Sequence, residues 1–254
     1  MLLAVDVGNT QTHIGAFDGA ELAHDWRLTT EPSATADELL ATLATLLRVA
    51  DLGLDALDGT IVSTVVPQLA PEYERLCESH LGISCLMVGP NVKTGMPIRV
   101  DNPHELGADR LVNAVAAHDR IDGACVSVDF GTSTNFDVVS AKGEYVGGVI
   151  GPGAEVSMEA LTSRTAKLPQ IEISRPESAI GRNTVAAIQS GFGHGFAGLV
   201  DGINRRIGEE LDGKPTYIAT GGLAETIAPL CETIDEVDPL LTLRGLLLIH
   251  GMNP

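Results

Sequence analysis

The sequence predicts an α/β protein made of two duplicated halves, each a mixed β-sheet of order βββαβαβα flanked by helices, with a ligand cleft between them. Three observations carry that prediction. The chain has 254 residues, 44% of them apolar, enough to bury a sizeable core as one large domain or two ordinary ones. Its hydrophobic periodicity switches repeatedly between two and about 3.6 residues. Finally, "LLAVDVGNT" at residues 2–10 is echoed by "SVDFGTST" at residues 127–134: an apolar run, an aspartate, then small hydrogen-bonding residues.

The elements follow in order. Residues 2–7, 12–17 and 21–29 alternate or run apolar between "GN" and "DG" breaks, as three short strands. "TADELLATLATLLRVA" (35–50) spaces its apolar residues three and four apart, as an amphipathic helix. "TIVSTVV" (60–66) is a buried strand, and Pro67 marks a helix start before "QLAPEYERLCESHL". "ISCLMV" (83–88) is a strand and "NPHELGADRLVNAVAAHDR" (102–120) a helix. The pattern then restarts with the strands "ACVSVDF", "TNFDVVS" and "EYVGGVI" and the helix "GAEVSMEALTSR". A helical tract over about 182–211 follows, then the strand "TYIAT", a Gly-Gly turn and a last helix near 240–250. Setting Asp6 on Asp129 matches Gly8 with Gly131, Asn9 with Thr132 and Thr12 with Asn135. The halves are read as residues 1–118 and 119–254.

A net charge of −18 argues against non-specific attraction to nucleic acid or to an anionic membrane. The chain opens with no basic region and no apolar run approaches the roughly 18 residues that span a bilayer. Four scattered cysteines, Cys77, Cys85, Cys125 and Cys231, form no metal-binding spacing and suit packing roles in a reducing compartment. A cytoplasmic protein is expected.

The chemistry lies in the turns. A glycine after a strand lets the backbone approach a ligand, turn amides converge on anionic oxygens, and hydroxyls add donors without charge. The aspartate at the strand end holds a hydrated cation that bridges to phosphates. Taken alone, each Asp-x-Gly is an ordinary turn; two in register across a duplicated fold describe a nucleotide clamped from both sides. "TYIATGGLAE" (216–225) adds a strand running into Gly221-Gly222 and a helix whose N-terminus favours a nearby anion, or else an ordinary glycine turn. No P-loop is present, and "GHGFAG" (193–198) lies within a helical tract, where its glycines suit close packing. "ELGADRL" (105–111) opens a helix. Asp109 there is either a helix cap or the general base for a substrate hydroxyl, with Arg110 forking onto an anionic group of the same substrate.

These stretches resemble the type III pantothenate kinases of the acetate and sugar kinase/Hsp70/actin superfamily. "DVGNTQT" resembles the first phosphate motif, "DFGTST" the second, "TGG" the adenosine motif and "GADR" the family's most specific element. "GGVIGPG" (147–153), "KLP" (167–169) and "IGRNT" (180–184) fall in the expected order. The resemblance implies ribonuclease H-like (actin-like ATPase) domains and ATP-dependent phosphorylation of pantothenate to 4′-phosphopantothenate. It implies ATP binding by Asp6, Val7, Gly8, Asn9, Thr10, Gln11, Thr12 and His13, by Thr132, and by Gly221 and Gly222. Asp109 becomes the proton acceptor, with Gly107, Ala108, Asp109 and Arg110 lining the pantothenate site. Mg2+ is expected at Asp6 through water, and potassium or ammonium at Asp129. Thr184 matches a residue that reaches pantothenate across a dimer interface, so a homodimer is implied. Val100 departs from the pattern, because many relatives carry an aromatic residue just before "DNP". Two other readings remain open: a kinase or phosphatase of this fold for another small substrate, and a nucleotide-responsive accessory protein in gene regulation.

Overall fold

The computed structural model describes all residues, 1–254. The chain forms two compact units, the first of Met1–Gly95, Asn102–Ala116 and Thr242–Pro254, the second of Met96–Asp101 and Ala117–Leu241. Each holds one five-stranded mixed sheet.

In the first unit, strands β1 (Leu2–Val7), β2 (Gln11–Asp18), β3 (Glu21–Thr29), β4 (Gly59–Thr64) and β5 (Cys85–Met87) take the sheet order β3-β2-β1-β4-β5. β1 is central, antiparallel to β2 and parallel to β4. A strand covered on both faces should read as an apolar run, and Leu3, Ala4, Val5 and Val7 are all buried. β3 lies at the edge and blunts it with Glu21, Asp25 and Arg27. Helix α1 (Ala36–Val49) begins at a capping box: the Thr35 hydroxyl accepts from Glu38 N, while the Glu38 carboxylate accepts from Thr35 N at 2.9 Å. Its Leu43 and Leu47 pack with Val5, Val7, Val62 and Tyr73 in the core.

Pro67 does not open a helix. Helix α2 (Ala70–Arg75) begins three residues later, with Pro71 in its first turn, and continues as a π-helix through Leu81. The reason lies in the preceding segment, where the Thr64 hydroxyl accepts from Val66 N at 3.0 Å and donates to Val66 O at 3.2 Å. That closed side-chain turn carries the chain through Pro67 before helical bonding begins. Helix α3 (Ala108–Arg120) completes the βββαβαβα series.

The second unit repeats the scheme with β6 (Cys125–Phe130), β7 (Ser133–Val139), β8 (Tyr145–Pro152), β9 (Thr216–Thr220) and a two-residue β10 (Glu236–Val237). The sheet order β10-β9-β6-β7-β8 is the first sheet's order read from the other edge, with β6 central, antiparallel to β7 and parallel to β9. Helices α4 (Ala154–Ser163) and α5 (Thr184–Glu210) stand where the first unit has α1. "GHGFAG" lies inside α5 as expected; Gly193 packs against Pro176 and Leu230, while Gly195 and Gly198 face open space. Helices α6 (Ala224–Ile227) and α7 (Leu241–Gly251) complete the chain. No helix is long and apolar enough to cross a membrane.

One detail of the repeat is corrected. Asp6 pairs with His13, and Asp129 pairs with Asn135. Asn135 therefore corresponds to His13 and not to Thr12, because the turn joining β6 to β7 is one residue shorter than the turn joining β1 to β2.

Candidate active site

The two hairpin turns are built alike. Val7 and Thr12 are the last paired residues of the first, and Gly8 N donates to Gln11 O at 3.0 Å across the turn. In the second, Phe130 and Thr134 are the last pair, and Gly131 N donates to Ser133 O at 3.0 Å. Exposure follows the same rhythm: Asp6 and Asp129 are half-buried, Val7 and Phe130 buried, and the turn residues after them open. The strand on the parallel side also matches, since Ser63 lies opposite Asp6 and Thr220 opposite Asp129. The motifs include Thr220, as the first residue of "TGG", but not Ser63. The signal was present, because "TIVST" and "TYIAT" are both apolar runs ending in hydroxyls beside an aspartate-tipped strand.

The residues Asp6 to His13 divide by position. Asn9, Thr10 and Gln11 are exposed at the turn. Thr12 points inward, its hydroxyl 2.9 Å from that of Thr30. His13 is also buried, with Nε2 2.9 Å from the Asp25 carboxylate. Burial lowers the His13 pKa below its ordinary value, against the opposing pull of its hydrogen bond to the Asp25 carboxylate. Burial thus disfavours the positively charged form of the imidazole beside Asp6.

At the third turn Gly221 takes a φ of +91°, a conformation that L side chains rarely adopt. A Cβ at this position would also overlap Asp129 Oδ1 and lie 2.7 Å from Phe130 N and O. Gly221 is thus packed directly against the Asp129 carboxylate and the Phe130 backbone, an approach that only glycine permits. The helix that follows, α6, has only four residues. The expected help of a helix N-terminus for an anion is therefore absent, since a macrodipole needs several aligned turns.

Asp109 and Arg110 occupy the first turn of α3, half-buried with Gly107 and Ala108. Asp109 Oδ1 accepts from Arg110 N at 2.8 Å. The side chain thus meets one free amide of the helix start, as a cap would. Burial nevertheless raises its pKa above the ordinary carboxylate value, against the lowering effect of that hydrogen bond and of the Arg110 charge. A carboxyl held dry at a helix start is suited to accept a proton from a substrate hydroxyl.

Thr184 is exposed at the first position of α5, and the preceding Asn183 accepts from Ala186 N at 2.9 Å as the helix cap. Both residues line a groove of about 730 Å3 with Leu161, Leu168, Phe192 and Leu199. The exposed apolar side chains Val156, Leu161, Ile180 and Val185 lie on or beside the same segments.

The four cysteines are free thiols; Cys125 is buried in the central strand of its sheet, which pushes its pKa up to about 12. No group of three or more His, Cys, Asp or Glu side chains is placed to hold a metal ion. Mg2+ needs none: it is held by one or two carboxylates, water and nucleotide phosphates. The half-buried Asp6 carboxylate near the end of β1 fits that demand.

Two mixed sheets with one topology, each with an aspartate-tipped central strand, define the class: a duplicated ribonuclease H-like fold of the actin-like ATPase type. The Clostridium difficile activator of 2-hydroxyisocaproyl-CoA dehydratase, solved with bound ADPNP, shares the fold at a TM-score of 0.58 and 12% identity, over 99% of this chain and 94% of that one. The sequence model of the type III pantothenate kinase family matches residues 2–206. Curated type III pantothenate kinases of Syntrophotalea carbinolica and Geobacter sulfurreducens are 48% and 49% identical over 253 residues, covering 100% of this chain and 99% of each relative. The chain belongs to the type III pantothenate kinase family, whose reaction is the ATP-dependent phosphorylation of pantothenate in coenzyme A biosynthesis.

Proposed function

We propose that in this reaction Asp109 is the group that takes the proton from the pantothenate hydroxyl. The observation that carries this reading is the half-buried carboxyl at the start of α3, with its raised pKa and with Arg110 as its immediate neighbour. The hydroxyl oxygen bonds to the γ-phosphorus of ATP as the bond from that phosphorus to the departing ADP oxygen breaks, and the hydroxyl proton passes to Asp109. Arg110 forks onto the carboxylate of pantothenate, and Gly107 and Ala108 line its site. Such a transfer needs mainly positioning and charge neutralisation.

The remaining assignments extend the reading. Residues Asp6 to His13 form the first grip on ATP. Within it Asn9, Thr10 and Gln11 supply the open donors, while Val7, Thr12 and His13 shape the turn from inside. Thr132 supplies the second grip, and Gly221 and Gly222 admit the adenosine. Mg2+ is held through water by Asp6 and neutralises phosphate charge when bound. Asp129 would hold potassium or ammonium, supported by its place near the end of β6, opposite Thr220. The sequence repeat divides at residues 1–118 and 119–254; packing divides differently, since Thr242–Pro254 cluster with the first unit.

A second copy of the chain covers the groove at the start of α5. An apolar strip with Ile180 81% exposed and Val185 42% exposed is what a subunit contact would bury. This homodimer brings Thr184 to the partner's pantothenate.

Four outcomes are expected. Asp109→Asn binds ATP normally in titration calorimetry and loses turnover by at least about a hundredfold, the scale of general-base catalysis; near-normal turnover removes Asp109 from the role. The same variant has a second signature. Because the folded-state pKa is raised, the wild type loses stability as pH rises through it. Asp109→Asn should therefore melt higher than wild type near neutral pH, with the advantage shrinking on acidification. Turnover in potassium exceeds that in sodium, and Asp129→Ala abolishes the difference; an unchanged potassium response places the ion elsewhere. Ile180→Asp shifts the protein to monomer in sedimentation and lowers activity, whereas a monomeric wild type rules out the dimer.

A further inference from the structure

The terminal helix α7 joins the second turn of α3 through contacts that no part of the reaction described above requires. The Thr242 hydroxyl lies 2.7 Å from Asn113 Oδ1 and donates to it. Asn113 is 1% exposed and sits one helical turn after Asp109. Between them the two backbones come into direct contact: a Cβ on Gly245 would overlap the Val112 carbonyl oxygen and lie 2.7 Å from Val112 Cγ1. The rest of α7 is anchored to the same unit. Leu243, Leu246 and Ile249 are fully buried, with Leu243 against Gly15 in β2. Past the helix, Asn253 accepts from Lys93 N at 3.0 Å and donates to Lys93 O at 2.8 Å.

We propose that Thr242, Gly245 and Asn113 are positioning residues for Asp109, setting the height and rotation of α3 so that the carboxyl meets the substrate hydroxyl. The inference rests on the reading of Asp109 as the base. A helix that carries a catalytic group in its first turn has few bonds of its own to fix that turn. Here the fixing comes from 129 residues away in sequence, by one hydroxyl–amide bond and one contact that only glycine permits. A shift of about 1 Å at the base is enough to cost up to a hundredfold in rate. A packing role alone would not need a polar bond so near the helix start, since an apolar pair of the same shape would serve a buried contact about as well.

The test compares Thr242→Val, Thr242→Ser and Gly245→Ala with wild type and Asp109→Asn, in the full-length protein. Measured quantities are kcat, KM for each substrate, the pH profile and the melting temperature. Thr242→Val is expected to lower kcat roughly tenfold with both KM values within twofold. The acid limb of its pH profile should move down as the carboxyl gains water, and Thr242→Ser should restore wild-type values. Gly245→Ala should show the same kcat loss, keeping the inference testable if Thr242→Val fails to fold. A lower melting temperature with unchanged kcat and pH profile makes the contact merely structural and overturns the inference. Normal Thr242→Val and Gly245→Ala beside an inactive Asp109→Asn overturn it alone; an active Asp109→Asn overturns the base reading and the inference together.

Discussion

Each unit depends on a central strand that is hydrogen-bonded on both sides, covered on both faces and ended by a carboxylate. Such a strand can carry a charge only where it leaves the sheet. Asp6 and Asp129 stand at that point, half-buried, with one more buried apolar residue before the turn. The same geometry brings small polar residues, Asn9, Thr10 and Thr132, to the surface beside each carboxylate. A chain of net charge −18 gains no help from its overall field in binding a polyphosphate, so local donors and the bound cation must do that work.

The two units show the same solution used twice with small differences. The first turn is longer by one residue and is backed by a buried His13 paired with Asp25; the second is shorter and has Gly221 pressed to its aspartate. The two carboxylates therefore stand in unlike surroundings. The Asp109 carboxyl lies in neither hairpin but in the first turn of α3, and the turn after it is bonded to α7, 129 residues away in sequence.

Much of this was legible in the sequence, for physical reasons. Period-two apolar runs broken by "GN" and "DG" mark β1 to β3 closely, and the capping box at Thr35 marks the start of α1. The echo of "DVGN" in "DFGT" reveals the duplication, because the same turn requires the same small residues. Pro67 misled because a proline that fits a helix start also fits a side-chain-closed turn, and Thr64 decides which. The inward aim of Thr12 was illegible because its partner Thr30 lies a strand away. The four-residue length of α6 and the contact of Thr242 with Asn113 depend on packing between distant segments, which local pattern does not encode.

The most direct test of the account is mass-spectrometric detection of 4′-phosphopantothenate after the purified protein is mixed with ATP, magnesium, potassium and pantothenate. The account predicts a product that grows with time, matches the ADP released mole for mole and is absent when pantothenate is left out. ADP release without phosphopantothenate, or no turnover by a folded and ATP-binding protein, would contradict it.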